Sequence, residues 1–144
     1  MANRRARRGE RGQTVVEFAL AATALFTLVF GIIDFGRALF TYDIVTNAAR
    51  IGSRYAIVHG SACSLASCPA TSAAIQSYVQ SQVSGIATSQ LSVTATWSNA
   101  SGCTDPNYQG TNCIVTVTVS YPFKLILFNR SWTMSSSSQM VISQ

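Results

Sequence analysis

The chain has 144 residues, 48% hydrophobic and only 10% charged, with a formal charge of +5 at pH 7. That length allows one small domain beside any membrane segment. The excess charge would suit a nucleic-acid binder if it were spread over a folded surface. Instead Arg4, Arg5, Arg7, Arg8 and Arg11, offset by Glu10, crowd the extreme N-terminus with no aromatic residue interleaved for base stacking, so no nucleic-acid partner is expected.

This basic leader runs straight into an apolar segment. Residues 18–33 (FALAATALFTLVFGII) carry no charge, and Val15 and Val16 bring the apolar span near the roughly 20 residues that cross a bilayer. Only Glu17 interrupts it. Arginines ahead of such a span follow the positive-inside pattern, which predicts a cytoplasmic N-terminus and an extracytoplasmic C-terminal part. A secretory signal peptide would need a small-residue cleavage site after the apolar core. Asp34, Phe35, Gly36 and Arg37 stand there instead, and the residues expected around a twin-arginine export pair are missing. The segment therefore reads as an anchor left uncut on its outer side.

At the entry to the span stands Arg11-Gly12-Gln13-Thr14-Val15-Val16-Glu17-Phe18, which resembles a type IV prepilin processing site. The resemblance implies a cut by a prepilin peptidase between Gly12 and Gln13. It also implies that Glu17, fifth in the mature chain, pairs with the new α-amino group of the same or a neighbouring subunit. A carboxylate within the bilayer costs on the order of 3 kcal/mol or more unless it is paired, so an intramembrane Glu is a functional candidate. Gly12 suits a cut site because a residue without a side chain lets the backbone lie extended in a protease cleft. A Gly and a Glu five apart are common by chance, and a Glu at a helix start can simply complement the helix dipole. The placement between a basic leader and a membrane span gives the pair its meaning.

Further on, Gly31-Ile32-Ile33-Asp34-Phe35-Gly36-Arg37 and Asn47-Ala48-Ala49-Arg50-Ile51-Gly52-Ser53-Arg54-Tyr55-Ala56 resemble the TadE-like family, minor pilins or pseudopilins of the tight-adherence (Tad, or Flp) pilus. The resemblance covers about residues 9 to 58. It implies a structural subunit, not an enzyme, that helps to prime or cap a pilus. The implied partners are the inner membrane, prepilin peptidase, other pilin or pseudopilin subunits and the assembly platform; no cofactor is implied. Gln13 differs from the aromatic residue that usually begins mature type IVa pilins and type II secretion pseudopilins. The Flp major pilin is much smaller and TadG-like proteins are typically longer.

No proline occurs before Pro69, and Phe35, Leu39, Tyr42, Val45, Ala49, Gly52 and Ala56 recur at three or four. The pattern predicts one helix over 15–58, about 65 Å long, leaving the bilayer as a stem. Its stripe narrows to Ala49, Gly52 and Ala56, which lets the protein's own sheet, or another helix, approach closely. Asp43, Asn47, Arg50 and Arg54 mark another face. Arg50 and Arg54 are like charges one turn apart, suited to a solvated face, an acidic partner or anionic headgroups. Asp34 and Arg37 can pair locally or contact a neighbouring subunit. These four are the candidate interface residues.

Cys63, Cys68, Cys103 and Cys113 all follow the span, and an even number of cysteines outside the cytoplasm predicts disulfides. Cys63 with Cys68 and Cys103 with Cys113 are preferred because each pair lies within one loop. With no Cys-x-x-Cys and a single histidine, His59, a metal site is not expected, and His59 reads as a stem-end surface residue. Ile75, Tyr78, Val79, Val83 and Ile86 predict a short helix between Pro69 and Gly85.

Two alternating strands follow, Leu91, Val93, Ala95 and Trp97 in the first and Val115, Val117, Val119 and Tyr121 in the second. They are expected to pair antiparallel, with Pro122 ending the second. Residues 123–128 (FKLILF) form an apolar connection placed to touch the membrane surface or the core. Residues 132–142 predict a third strand. The fold class expected is α+β: a long N-terminal transmembrane and stem helix (pilin-like) packed on a small antiparallel β-sheet, disulfide-bearing. Its parts are a leader over 1–12, a helix over 13–58 and an extracytoplasmic domain over 59–144.

After residue 58 the chain offers one Asp, one His and no Glu, which leaves no acid–base constellation for catalysis. The triplets at Asn99 and Asn129 match a glycosylation acceptor pattern that is common by chance. The competing reading is an unprocessed, membrane-anchored binding protein in which Glu17 merely starts the helix.

Overall fold

A computed structural model describes residues 6–65, 67–126 and 130–143, with side chains considered from residue 12 onward. Arg4 and Arg5 of the leader, residues 127 and 128 of the apolar connection and Asn129 of the second glycosylation triplet lie outside the described residues. Helix α1, Ala6–Val58, is 53 residues long, on the order of 80 Å at 1.5 Å per residue. Among the described residues it is already helical nine residues before the position expected from the apolar pattern, because Ala, Arg and Glu are strong helix formers and carry the helix back across the glycines. Its apolar surface over the first turns is bare: Phe18 is 73% exposed and the most apolar window is not buried against the rest of the chain. Thr23 and Thr27 donate their hydroxyls to the carbonyls of Ala19 and Thr23, both at 2.8 Å, so these polar groups are satisfied within the helix.

Helix α2, Ser72–Gln82, is capped by Thr71, whose side chain accepts from the Ala74 N–H at 3.2 Å. The helix starts three residues after Pro69 and stops at the Val83 C-cap, so neither Pro69 nor Gly85 is its end residue. Gly85 instead takes φ +90° in the following loop, under the Phe40 ring. After a 3₁₀ turn at Thr88–Gln90 come strands β1 (Ser92–Ser98), β2 (Ile114–Lys124) and β3 (Ser131–Val141), which form one antiparallel sheet in the order β1-β2-β3.

Strand β2 does not end at Pro122. It runs on to Lys124, with Pro122 opposite Thr133. The physical reason is that β1 stops at Ser92, opposite Ser120, so β2 beyond that point has a neighbour on one side only. A strand with one open side is where proline is tolerated.

The core lies between the C-terminal half of α1 and the sheet. Val45, Ala48, Ala49 and Ala56 of α1 meet Val115, Val117 and Val119 of β2, closed at one side by Ile75 and Val79 of α2 with Val93 and Ala95 of β1. The expected apolar stripe is therefore half right. Its outer part packs on the protein's own sheet, but Phe35, Leu39 and Tyr42 are exposed, and the buried row continues instead through Thr41 and Asp34. The sheet decides this phase, because it covers only the face of the helix turned toward it. Within the interface Ser53 Oγ lies 2.9 Å from Ser138 Oγ, a part-buried hydroxyl pair that joins helix to β3. Small residues on both sides let the helix sit close to the sheet.

Candidate functional site

Three places along the molecule hold the residues singled out in the sequence. The first is the N-terminal end of the apolar span. Gly12, Gln13 and Glu17 lie on α1, exposed, and line one shallow groove with Val16 and Leu20. Gly12 is helical here, not extended, and a Cβ built on it would meet nothing within 4 Å. A glycine inside a helix is about 1 kcal/mol less favourable than alanine, so this is an easy point at which to open the helix.

The second place is the C-terminal end of the apolar span. The Asp34 side chain is only 5% exposed and pairs with Arg37 at 3.0 Å. It also accepts the Ile126 backbone N–H at 3.0 Å, a link across 92 residues that ties the stem to the β2–β3 hairpin. That hairpin is closed by the Leu125 N–H donating to the Arg130 carbonyl at 2.9 Å. Arg37 in turn stands 5.3 Å from the centre of the Phe123 ring, within cation–π range. Of the expected local pair, then, both members are engaged within the chain. Ile126 was not a sequence candidate, and only its apolar character hinted at a role. Arg50 and Arg54 remain on the exposed face with Asp43 and Asn47, with no ion pair between either arginine and another described residue.

The third place is the far end of the stem. Cys63 bonds Cys68 and Cys103 bonds Cys113, the pairing expected. The two loops are joined, since the Ser61 N–H donates to the Gln109 carbonyl at 2.8 Å. Asp105 accepts the Asn107 N–H at 3.0 Å, which, with further bonds from the Ser61 hydroxyl and the Gln109 backbone, holds its carboxyl below the ordinary value of 3.8. Gly110 allows this packing, because a Cβ there would stand 2.7 Å from the Asp105 Cβ. His59 is half-buried, not a plain surface residue: its ring stacks on Tyr55 at 3.9 Å, and Tyr55 stacks on Tyr78 at 4.3 Å. Its Nδ1 is 2.9 Å from the Tyr55 carbonyl oxygen, suited to an N–H on that nitrogen donating to it.

Disulfides closing loops of 5 and 10 residues restrict the unfolded chain by roughly 2–3 kcal/mol each on the chain-entropy account. Complete reduction and alkylation is accordingly expected to lower the unfolding midpoint by about 10 °C or more, read by circular dichroism in detergent. An unchanged midpoint would refute a stabilising role for both bridges.

Among the described residues no group of three or more His, Cys, Asp or Glu stands together to hold a metal. No curated protein and no solved structure matches the chain. The family model described as TadE-like protein matches residues 12–54, a stretch that runs from the glycine of the entry motif, through the apolar span, to the packed stem. Over that stretch the chain is similar to TadE-like proteins, a likeness that implies association with the Tad pilus.

Proposed function

We propose that the protein is a minor pilin or pseudopilin that takes part in assembling a Tad-type pilus, as a priming or tip subunit held by its N-terminal helix. The observation that carries this is the placement of Gly12 and Glu17 at the mouth of a bare apolar helix that continues without a break into the core of the outer domain. A bare apolar surface of this length belongs in lipid or against other apolar helices. A rigid connection from it to a folded head lets a subunit be raised from the membrane as one body.

In this reading the chain crosses the bacterial inner membrane once, leader inside and outer domain outside. Prepilin peptidase cuts after Gly12, and the α-amino group of Gln13 becomes the partner of Glu17 in the same or the next subunit. Other pilin or pseudopilin subunits and the assembly platform contact the helix. On the stem, exposed Arg50 and Arg54 are better placed for such contacts than Asp34, which is buried against its own hairpin.

The test is the intact mass and N-terminus of the protein extracted from membranes of cells with and without prepilin peptidase. The expected result is a chain starting at Gln13 only when the peptidase is present, with Gly12→Val leaving the precursor uncut. An unprocessed chain in both strains would sink this reading and leave a membrane-anchored extracytoplasmic binding protein.

A further inference from the structure

The membrane-proximal end of the outer domain carries an unusual surface. Ile126 and Trp132 flank the β2–β3 connection and are 62% and 71% exposed. Trp132 lines one groove together with Gly31, Asp34, Phe35 and Leu125. Gly31 belongs to the uncharged span of 18–33, so this groove crosses from the apolar segment into the folded head. On the other side of Phe123 a second groove is lined by Arg37 and Lys124 with Phe40 and Gln90. Arg130, exposed, ends the same hairpin connection. Asp34 is the acidic residue at this level, and it is already engaged with Arg37 and Ile126.

The level of this surface can be fixed by arithmetic. From Gln13 to Ile33 the helix rises about 31 Å, the thickness of a bilayer's hydrocarbon core. Asp34 is the next residue, and its bond to the Ile126 N–H holds the hairpin at that height. Aromatic and apolar groups beside basic side chains at this depth are the composition of a membrane–water interface. Basic residues there are drawn to anionic headgroups.

We infer that this end of the outer domain docks on the anionic phospholipid surface of the outer leaflet. Ile126 and Trp132 enter the interface, while Arg37, Lys124 and Arg130 meet the headgroup phosphates. The docking holds the head upright on the membrane before the subunit leaves it. This inference needs the helix to span the bilayer but does not depend on cutting after Gly12.

The full chain, placed in lipid nanodiscs, provides the test. Lipids brominated on the acyl chains near the headgroup quench tryptophan only at close range, and discs of phosphatidylcholine are compared with discs containing phosphatidylglycerol. Quenching is expected to be at least twofold deeper in the phosphatidylglycerol discs, and to disappear in Trp132→Phe, which leaves Trp97 as a background in the sheet. The double variant Lys124→Glu/Arg130→Glu is expected to abolish the difference between the two lipids while keeping its thermal midpoint. Both residues are exposed, so a fall in the midpoint is not anticipated; should one occur, Arg130→Glu alone carries the same comparison.

Each contrary result is decisive. Equal quenching in both lipids overturns the choice of an anionic surface. Quenching of Trp132 by aqueous acrylamide but not by bromolipid overturns docking altogether. A chain that elutes apart from the discs overturns the membrane span on which the inference rests, and does so without touching the question of processing.

Discussion

Gly52→Val is expected to lower the unfolding midpoint by roughly 10–20 °C, corresponding to about 2–3 kcal/mol for a domain of this size. A Cβ on Gly52 would stand 2.9 Å from Val117 Cγ1, 3.1 Å from Val79 Cγ2 and 3.4 Å from Ile75 Cγ2. All three neighbours are fully buried, Val117 on β2 and both Val79 and Ile75 on α2, so none can give way without moving its own element. Valine adds two further methyl groups to that collision, whereas its gain in helix propensity over glycine is only a few tenths of a kcal/mol. Gly52→Ala makes the same first contact but gains about 1 kcal/mol of propensity, so its loss is expected to be much smaller. Gly36→Val serves as the control, because a Cβ there meets nothing within 4 Å. Thermal unfolding in detergent measures all three. A midpoint for Gly52→Val within about 2 °C of the parent would show that the helix-to-sheet crossing is looser than these distances imply.

Asp34→Ala is expected to release the β2–β3 hairpin from the stem. The substitution removes the acceptor of the Ile126 N–H and the partner of Arg37 at once. A lost hydrogen bond to a charged group is worth about 1.5–3 kcal/mol, and the Arg37 share is discounted because that side chain is 46% exposed. The effect should be local: amide exchange at Ile126 faster by about 10- to 100-fold, at 1.4 kcal/mol per tenfold, with the amides of Val117 and Val119 little changed. Asp34→Asn keeps an acceptor oxygen and is expected to fall between. Unchanged exchange at Ile126 in Asp34→Ala would mean that strand pairing alone positions the hairpin.

Both predictions concern residues whose importance could not be seen from their neighbours in the chain. Gly52 sat in a stripe of small residues that fitted either a partner helix or the protein's own sheet, and only the position of Val117 and Val79 settled it. Asp34 and Arg37 fitted a local pair, which is present, but the link to Ile126 spans 92 residues and left no local trace. The stem's inner apolar residues, Phe35, Leu39 and Tyr42, kept helical spacing with the buried ones and yet lie exposed. Spacing marks a face, while burial depends on whether another element reaches it.

What the sequence determined by itself were the features set by short-range physics. The uncharged run over 18–33 identifies a helix fit for a membrane, the arginines before it suggest orientation, alternation in β1 and β2 reports strands with one buried face, and cysteines close together in two loops find each other. The entry motif and the TadE-like match over 12–54 are equally local in the chain.

What only the tertiary structure decided were the phase of the stem, the passage of β2 through Pro122, the Ser53–Ser138 pair and the surface gathered around Ile126 and Trp132. In each case the reason is the same: burial and pairing are properties of two elements brought together, and a proline, a serine or an aspartate has its role assigned by the neighbour that arrives from a distant part of the chain.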